Sequence, residues 1–296
     1  MPRYAMCGSV IDSDVPLAEA MPCVADVCDI EIRIASLPEK PPGIGPNWSL
    51  EGSRLWLEIP DIARLRISEG RWIEIDPAPG LQLENWAPFI TGPALGILLH
   101  QCGDLVLHAA AVEIDGRAIV LSGLAGSGKS VLAAAFAKRG HSVLGDDLCR
   151  ISFDPVKGPL AQPEGPYVKL WPRVAERMGY RHGERIRPPI GKSRFLCRAP
   201  DGPLPVVALF EMQRAARREI TTIEAVTGID AIGSLSRLSY CPWLIDVLPN
   251  GASRQFRNAA ALLRQVPLCL PSYFNDWDLL DGTVARIESY IRRGLP

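Results

Sequence analysis

The feature that most constrains this chain is an octapeptide that runs from Gly123 to Ser130 and reads GLAGSGKS. It fits the pattern G-x-x-x-x-G-K-S/T and lies between an apolar stretch and a run of helix-forming residues. Glycines in such a loop let backbone N–H groups face phosphate oxygens, and the following helix adds its positive dipole end. The pattern predicts a nucleoside triphosphate site, with Lys129 at the β and γ phosphates and the Ser130 hydroxyl at Mg²⁺. The candidate nucleotide-binding residues are Gly123, Ala125, Gly126, Ser127, Gly128, Lys129, Ser130 and Val131.

Two adjacent carboxylates follow the loop at a short distance along the chain. A helix is predicted over 130–139, because the segment is rich in strong helix formers and stops at Gly140. An apolar strand over 142–145 then leads to Asp146 and Asp147, and a further strand is predicted over 148–153. The strands of a strand–helix–strand crossover point the same way, so both aspartates are expected beside the phosphates. There, one carboxylate could reach the metal and the other the attacking hydroxyl group.

A histidine precedes the loop on the preceding predicted strand. Strands are predicted over 105–114 and 118–121, and Asp115-Gly116 between them is a dipeptide typical of a tight hairpin turn. This hairpin carries His108 to the end opposite the turn, where the phosphates are expected. His108 is therefore a candidate catalytic residue.

The remaining segments predict an α/β protein in two parts, a β-rich N-terminal region over 1–90 and a domain over 91–296 that carries the glycine-rich loop. Residues 1–47 lack clear periodicity and end in a proline cluster at 38–46, which predicts a linker or surface loop. Alternating apolar and polar residues then predict an antiparallel meander. An apolar segment with a proline in its first turn predicts the helix that follows. Later patterns predict further elements. The predicted strands are 54–59, 63–67, 72–75, 205–210, 219–223 and 266–270, and the predicted helices are 92–101, 228–238, 252–264 and 279–293.

The segment 154–205 is rich in proline and basic residues, which predicts an excursion outside the core. Phosphoryl transfer commonly uses an additional cation to neutralise developing charge. Lys169, Lys192 and Arg194 are therefore candidate phosphate or acceptor contacts, and Arg237 is a weaker candidate of the same kind.

Composition narrows the class of partner. A net charge of −1 argues against nucleic acid or anionic lipid as a partner, because such binding needs concentrated basic charge. The eight cysteines are scattered without zinc spacing, which is typical of free thiols in a reducing compartment. No signal-peptide pattern or apolar run of membrane-spanning length is present in the sequence. We expect a cytoplasmic protein that binds neither membrane nor nucleic acid.

Residues 107–147 resemble the core of the HPr kinase/phosphorylase family. The resemblance rests on the histidine of the first strand, the glycine-rich loop, the Arg139-Gly140-His141 turn and the paired aspartates. It implies an α/β fold with the kinase core shared with phosphoenolpyruvate carboxykinases, preceded by a small β-meander domain. It also implies ATP and Mg²⁺ as cofactors, Asp146 as general base, Asp147 at the metal, and a homo-oligomer.

Other segments depart from that family. Its Glu-Ile-Arg-Gly-hydrophobic-Gly signature does not follow the aspartates, which argues against HPr itself as the substrate. The meander and the segment from Tyr167 to Pro172 are similar to HPr-kinase-related proteins of peptide biosynthetic clusters. Some of those, the lasso peptide precursor kinases, phosphorylate a C-terminal serine.

The resemblance favours an ATP-dependent serine kinase that acts on a peptide or small protein, such as the C-terminal serine of a lasso precursor. Two alternatives stay open. One is a small-molecule kinase on the same core, and the other is a non-catalytic, nucleotide-gated binding protein.

Overall fold

The structure is a computed structural model that describes residues 2–43, 45–186, 191–214, 223–273 and 277–294. It shows a mixed α/β protein with two eight-stranded sheets and a three-stranded sheet among these residues. No helix within the described ranges has the length and apolar character needed to cross a membrane.

The N-terminal part of the chain forms a sheet with the strand order β3-β1-β2-β4-β8-β7-β6-β5. Its strands are β1 (Arg3–Met6), β2 (Ser9–Ser13), β3 (Met21–Pro22), β4 (Ile30–Ile34), β5 (Trp48–Glu51), β6 (Arg54–Ile59), β7 (Ala63–Ser68) and β8 (Trp72–Pro77). The predicted meander is confirmed as β6, β7 and β8, which pair in antiparallel succession.

The first four strands were not predicted individually, because the sequence of residues 1–47 lacks clear periodicity. Each strand is only two to five residues long, so the alternation of buried and exposed positions is too short to stand out in the sequence. β1 and β2 are joined by Cys7 and Gly8, which both have positive φ angles of 52° and 72°. The described part of the proline cluster at 38–46 does form a loop, as predicted.

A helical segment joins the sheets, and it begins earlier than the predicted helix at 92–101. It consists of α1 (Leu83–Phe89), a π-helical turn (Ile90–Ala94) and α2 (Leu95–Cys102). The π turn contains Pro93, which lacks the N–H that a regular helical hydrogen bond requires. α2 packs its apolar side chains against the N-terminal sheet in a shared core.

The second large sheet carries the glycine-rich loop. Its strands are β9 (Leu105–Ile114), β10 (Arg117–Ser122), β11 (Val143–Asp154), β12 (Gly158–Ala161), β16 (Leu204–Glu211), β17 (Gln213–Arg214), β18 (Ile223–Val226) and β19 (Leu268–Tyr273). β9 lies between β10 and β11 and is antiparallel to both, so β10 and β11 are parallel to each other. β16 pairs with both β10 and β12, and these pairings close a ring of five strands.

β11 differs from the prediction of two short strands with the aspartates between them. It is continuous from 143 to 154, so Asp146 and Asp147 lie inside it, opposite Ala110 and Ala109 of β9. The expected parallel orientation of β10 and β11 places the aspartates near the glycine-rich loop.

Helices cover both faces of this sheet. α3 (Lys129–Lys138) and α8 (Trp277–Arg292) pack on one face, and α5 (Gly228–Leu238) and α7 (Gly251–Leu263) pack on the other. The short α6 (Leu244–Val247) precedes α7. The helices predicted over 130–139, 228–238, 252–264 and 279–293 are confirmed to within three residues. Most of the strand predicted over 219–223 lies outside the described residues, and the described strand β18 begins at Ile223.

The segment 154–205 was wrongly predicted to lie outside the core. β12 belongs to the second large sheet, and β13 (Tyr167–Leu170), β14 (Glu184–Arg185) and β15 (Ser193–Leu196) form a small sheet of their own. Together with α4 (Pro172–Arg177), this small sheet buries Val168, Leu170 and Phe195 against α3. The predicted division of the chain at residue 90 stays a prediction.

Candidate functional site

A cavity of about 530 Å³ lies over the glycine-rich loop. Its walls come from the loop, from the middle of β11, from the helical segment at 88–93 and from the small sheet with α4. Six of the eight predicted nucleotide-binding residues line it, namely Ala125, Gly126, Gly128, Lys129, Ser130 and Val131. The predicted residues His108, Asp146, Asp147, Lys169 and Lys192 line it too.

The glycines of the loop are required by its backbone. Gly123, Gly126 and Gly128 have φ angles of 143°, 80° and 94°, which side-chain-bearing residues rarely adopt. A Cβ atom on Gly123 would lie 2.8 Å from the carbonyl oxygen of Met212. Gly123 and Ser127 are the two predicted nucleotide-binding residues that do not line the cavity.

Lys129 is the cation of the loop. It is buried, and its Nζ donates hydrogen bonds to the carbonyl oxygens of Gly123 at 2.7 Å and Leu124 at 3.2 Å. Burial lowers the pKa of Lys129, and Lys192 lowers it further, while Asp146 and Asp147 raise it. A phosphate group in the cavity would replace weak carbonyl partners of this ammonium with charged oxygens.

Asp146 is a buried carboxylate with one oxygen fixed and the other free. Its Oδ2 accepts a hydrogen bond of 2.7 Å from the backbone N–H of Lys169. Its Oδ1 is buried and has no hydrogen-bond partner among the described residues. Burial raises the pKa of Asp146 to about 6, although the Lys169 N–H, the nearby Ser130 hydroxyl and the Lys169 ammonium lower it.

Asp147 has the opposite electrostatic environment. Its Oδ1 lies 3.2 Å from Nδ1 of His108, and its Oδ2 lies 3.4 Å from Nζ of Lys169. Burial raises the pKa of Asp147, but Lys169 and His108 outweigh this effect and hold the pKa well below its usual range. The pKa values of the two adjacent carboxyl groups are thus shifted in opposite directions. Such a difference suits one carboxyl group to proton transfer and the other to charge stabilisation.

Lys169 is the centre of a buried ion cluster. Besides Asp147, its Nζ lies 3.4 Å from Oε1 of Glu19 and 3.3 Å from Oε1 of Glu164. Burial lowers the pKa of Lys169, but the surrounding carboxylates raise it well above its usual value. Lys169 is therefore a permanent cation inside the site, and it joins the N-terminal segment to the aspartate pair.

Glu19 and Glu164 are site residues that the sequence did not reveal. Glu19 lines the cavity, accepts a 2.9 Å hydrogen bond from the hydroxyl of Thr91, and comes from a segment without detectable periodicity. Glu164 is buried and lies in a proline-flanked turn. Burial raises the pKa of Glu164 to about 7, while Lys169 lowers it. No local motif indicates either residue, because both are brought to Lys169 by tertiary folding.

The remaining predicted cations have different positions. Lys192 lines the cavity, with its Nζ 5.8 Å from the ring centroid of Trp171. Arg194 does not line it, because its guanidinium pairs with Glu184 and lies over the ring of Tyr167. Arg237 is exposed on α5, donates to Ser234, and does not line the cavity either. The structure thus brings Lys192 to the site but neither arginine.

The oxygen atoms in the cavity fit a magnesium–nucleotide complex. The Ser130 hydroxyl and the Asp147 carboxylate supply hard oxygen ligands of the kind that Mg²⁺ prefers. Within the described part of the chain, no group of three or more His, Cys, Asp or Glu side chains is arranged to hold a metal alone. Mg²⁺ usually takes only one or two carboxylates and completes its shell with water and substrate phosphates. The residues present therefore fit a metal that arrives with its nucleotide.

Together these features define a mixed α/β protein with a glycine-rich loop and a carboxylate pair in one cavity. No family model matches the sequence, and no curated protein matches it. Among solved structures, the HPr(Ser) kinase/phosphatase from Coxiella burnetii is similar to it. The identity is 14%, the similarity covers 64% of this chain and 88% of that chain, and the TM-score is 0.35. The likeness is distant.

Proposed function

We propose that this protein is an ATP-dependent kinase that transfers the γ-phosphate to a hydroxyl group of a peptide or small protein, with a serine as the acceptor. The observation that carries the proposal is the convergence of the glycine-rich loop and the two aspartates in one cavity of about 530 Å³. The loop supplies the nucleotide half of a phosphoryl-transfer site, and the aspartates supply the acceptor half.

Asp146 is the proposed general base. A base works best when its pKa lies near the operating pH, and burial raises that of Asp146 to about 6. The acceptor oxygen forms a bond to the γ-phosphorus, the bond from that phosphorus to the β–γ bridging oxygen breaks, and ADP leaves. The hydroxyl proton passes to Oδ1 of Asp146, the carboxylate oxygen that has no partner in the described structure.

Asp147 stays ionised through this step, because Lys169 and His108 hold its pKa low. Together with Ser130 it would hold Mg²⁺, which when bound neutralises negative charge on the β and γ phosphates. Lys129 and Lys192 line the same cavity and would neutralise the rest of the developing charge.

A transfer assay with γ-labelled ATP and Mg²⁺ tests the proposal. The acceptors are peptides with a C-terminal serine, the same peptides with an internal serine, and a mixture of free hydroxyl metabolites. Asp146→Asn should lower the transfer rate about 10²–10⁴-fold, the usual contribution of a general base, while ATP affinity changes less than about threefold. Asp201→Asn, at an exposed position, is the matched control and should transfer at the wild-type rate.

The nucleotide half is tested by Lys129→Ala, with the exposed Lys157→Ala as its control. Titration with a fluorescent ATP analogue should show a large loss of affinity in Lys129→Ala only. Transfer to metabolites but to no peptide would instead support a small-molecule kinase. Nucleotide binding without transfer to any acceptor would support a nucleotide-gated binding protein, and wild-type transfer by Asp146→Asn would remove the base assignment.

A further inference from the structure

Both aspartates line the same cavity although they are neighbours in one strand. Successive side chains of a regular β-strand point to opposite faces of the sheet. β11 must therefore depart from regular geometry at this point. The pairing of β11 with β9 does shift register between Val143 and Gly145, immediately before the pair.

One side-chain oxygen accepts hydrogen bonds from three successive backbone N–H groups at the aspartates. Oε2 of Glu164 accepts hydrogen bonds from the N–H groups of Asp146 at 3.0 Å, Asp147 at 3.0 Å and Leu148 at 3.2 Å. Successive N–H groups of a regular strand alternate in direction, so three of them cannot reach one acceptor. Their convergence on Oε2 shows that the Glu164 carboxylate stabilises an irregular backbone conformation at residues 146–148.

The surroundings of Glu164 match this role. The side chain is buried, and its other oxygen lies 3.3 Å from Nζ of Lys169, so both oxygens have partners. Gly145 leaves the space that the carboxylate needs, because a Cβ atom there would lie 2.5 Å from Oε2. A side chain at 145 would thus displace the acceptor of all three N–H groups.

We propose that Glu164 is a positioning residue for phosphoryl transfer. Its carboxylate holds the backbone of residues 146–148 so that both aspartate side chains face the nucleotide. This inference rests on the proposed kinase function. Glu164 does not touch the reacting atoms, and it acts through the backbone of the residues that do.

The experiment compares full-length Glu164→Gln, Glu19→Gln and Glu176→Gln. Glu164→Gln keeps the size and one acceptor oxygen but removes the charge. Glu19→Gln removes a different carboxylate from Lys169 and leaves the three N–H bonds intact. Glu176 is exposed on α4 and serves as the control.

Two readouts separate the inference from the kinase proposal. The first is the position of the Asp146, Asp147 and Leu148 amide proton resonances in TROSY spectra, which requires no acceptor. We expect all three to move in Glu164→Gln and to stay within the control range in the other two variants. The second is the single-turnover transfer rate, which should fall about 10–100-fold in Glu164→Gln while ATP affinity changes less than about threefold.

Unmoved amide resonances in Glu164→Gln would overturn the inference, and so would moved resonances with an unchanged transfer rate. An equal fall in rate in Glu19→Gln without amide shifts would overturn it as well, because the effect would then belong to Lys169. If the wild-type protein transfers phosphate to no acceptor, the kinase proposal and the positioning role both fall, and moved amide resonances would still establish the Glu164 contact.

Discussion

Nδ1 of His108 lies 3.2 Å from Oδ1 of Asp147, and the two residues are 39 positions apart along the chain. The contact crosses from β9 to β11 at the edge of the cavity, where the His108 side chain is part-exposed. The contact favours the ionised form of Asp147, and in the proposed kinase it would also orient this carboxylate.

His108→Ala should therefore lower the transfer rate about 10–100-fold, the range typical of residues that orient an active-site ligand. ATP affinity should change little, because the imidazole is not part of the glycine-rich loop. His108→Asn keeps an N–H donor near the position of Nδ1 and should recover most of the rate. The exposed His182→Asn is the control, and wild-type transfer by His108→Ala would contradict the orienting role.

The pH dependence of kcat/KM should report Asp146. Burial raises the pKa of this carboxyl to about 6, so below pH 6 it is protonated and cannot accept the hydroxyl proton. The logarithm of kcat/KM should fall with a slope of one as pH decreases through about 6, and Asp147 should add no inflection there because its pKa is held low. A flat profile from pH 5 to 8 with chemistry rate-limiting would be incompatible with this base.

The raised pKa of Asp146 also affects the stability of the protein. Because the pKa in the folded state exceeds that in the unfolded state, the contribution of Asp146 to stability falls as pH rises from about 4 to 6.

Lys169→Met should destabilise the protein strongly. The substitution removes the cation that faces Glu19, Glu164 and Asp147, and it leaves three carboxylates close together in a buried cluster. Breaking a buried ion cluster by removing one partner costs about 3–5 kcal/mol. Urea unfolding at pH 7.5 measures the change, with the exposed Lys157→Met as the control, which should lie within about 0.5 kcal/mol of wild type. A loss below about 1 kcal/mol for Lys169→Met would show that the cluster is not stabilising.

Gly145→Ala tests the space beside Glu164. The new Cβ atom would lie 2.5 Å from Oε2 and 2.6 Å from Cβ of Glu164, so the backbone or the glutamate must move. We expect a destabilisation of about 1–3 kcal/mol, as for other overpacked sites, together with a lower transfer rate. Gly202→Ala is the matched control, since nothing lies within 4 Å of the added atom. Equal stability of the two variants, measured by urea unfolding, would show that the strand tolerates a side chain at 145.

Local patterns predicted much of the fold. The tight turn at Asp115-Gly116 has the positive φ angles of 50° and 74° that this dipeptide favours. The helix after the glycine-rich loop begins at Lys129, one residue before the predicted start, and strong helix formers indicated its course. Strands of two to five residues in the first 34 positions escaped detection, because a period of two cannot be recognised over so few residues.

For the candidate site, the sequence by itself determined the residues whose positions follow from local spacing. The glycine-rich loop, Asp146 and Asp147 belong to one crossover unit, so strand and helix lengths alone place them at one edge. Only the tertiary structure decided which distant side chains complete the site. Glu19 and Glu164 contact Lys169 from two separate connections between strands, whereas Arg194 and Arg237 form contacts with other residues. The physical reason is that backbone periodicity sets the course of a strand, while the direction of a long charged side chain depends on which opposite charges and cavities the completed fold places within its reach.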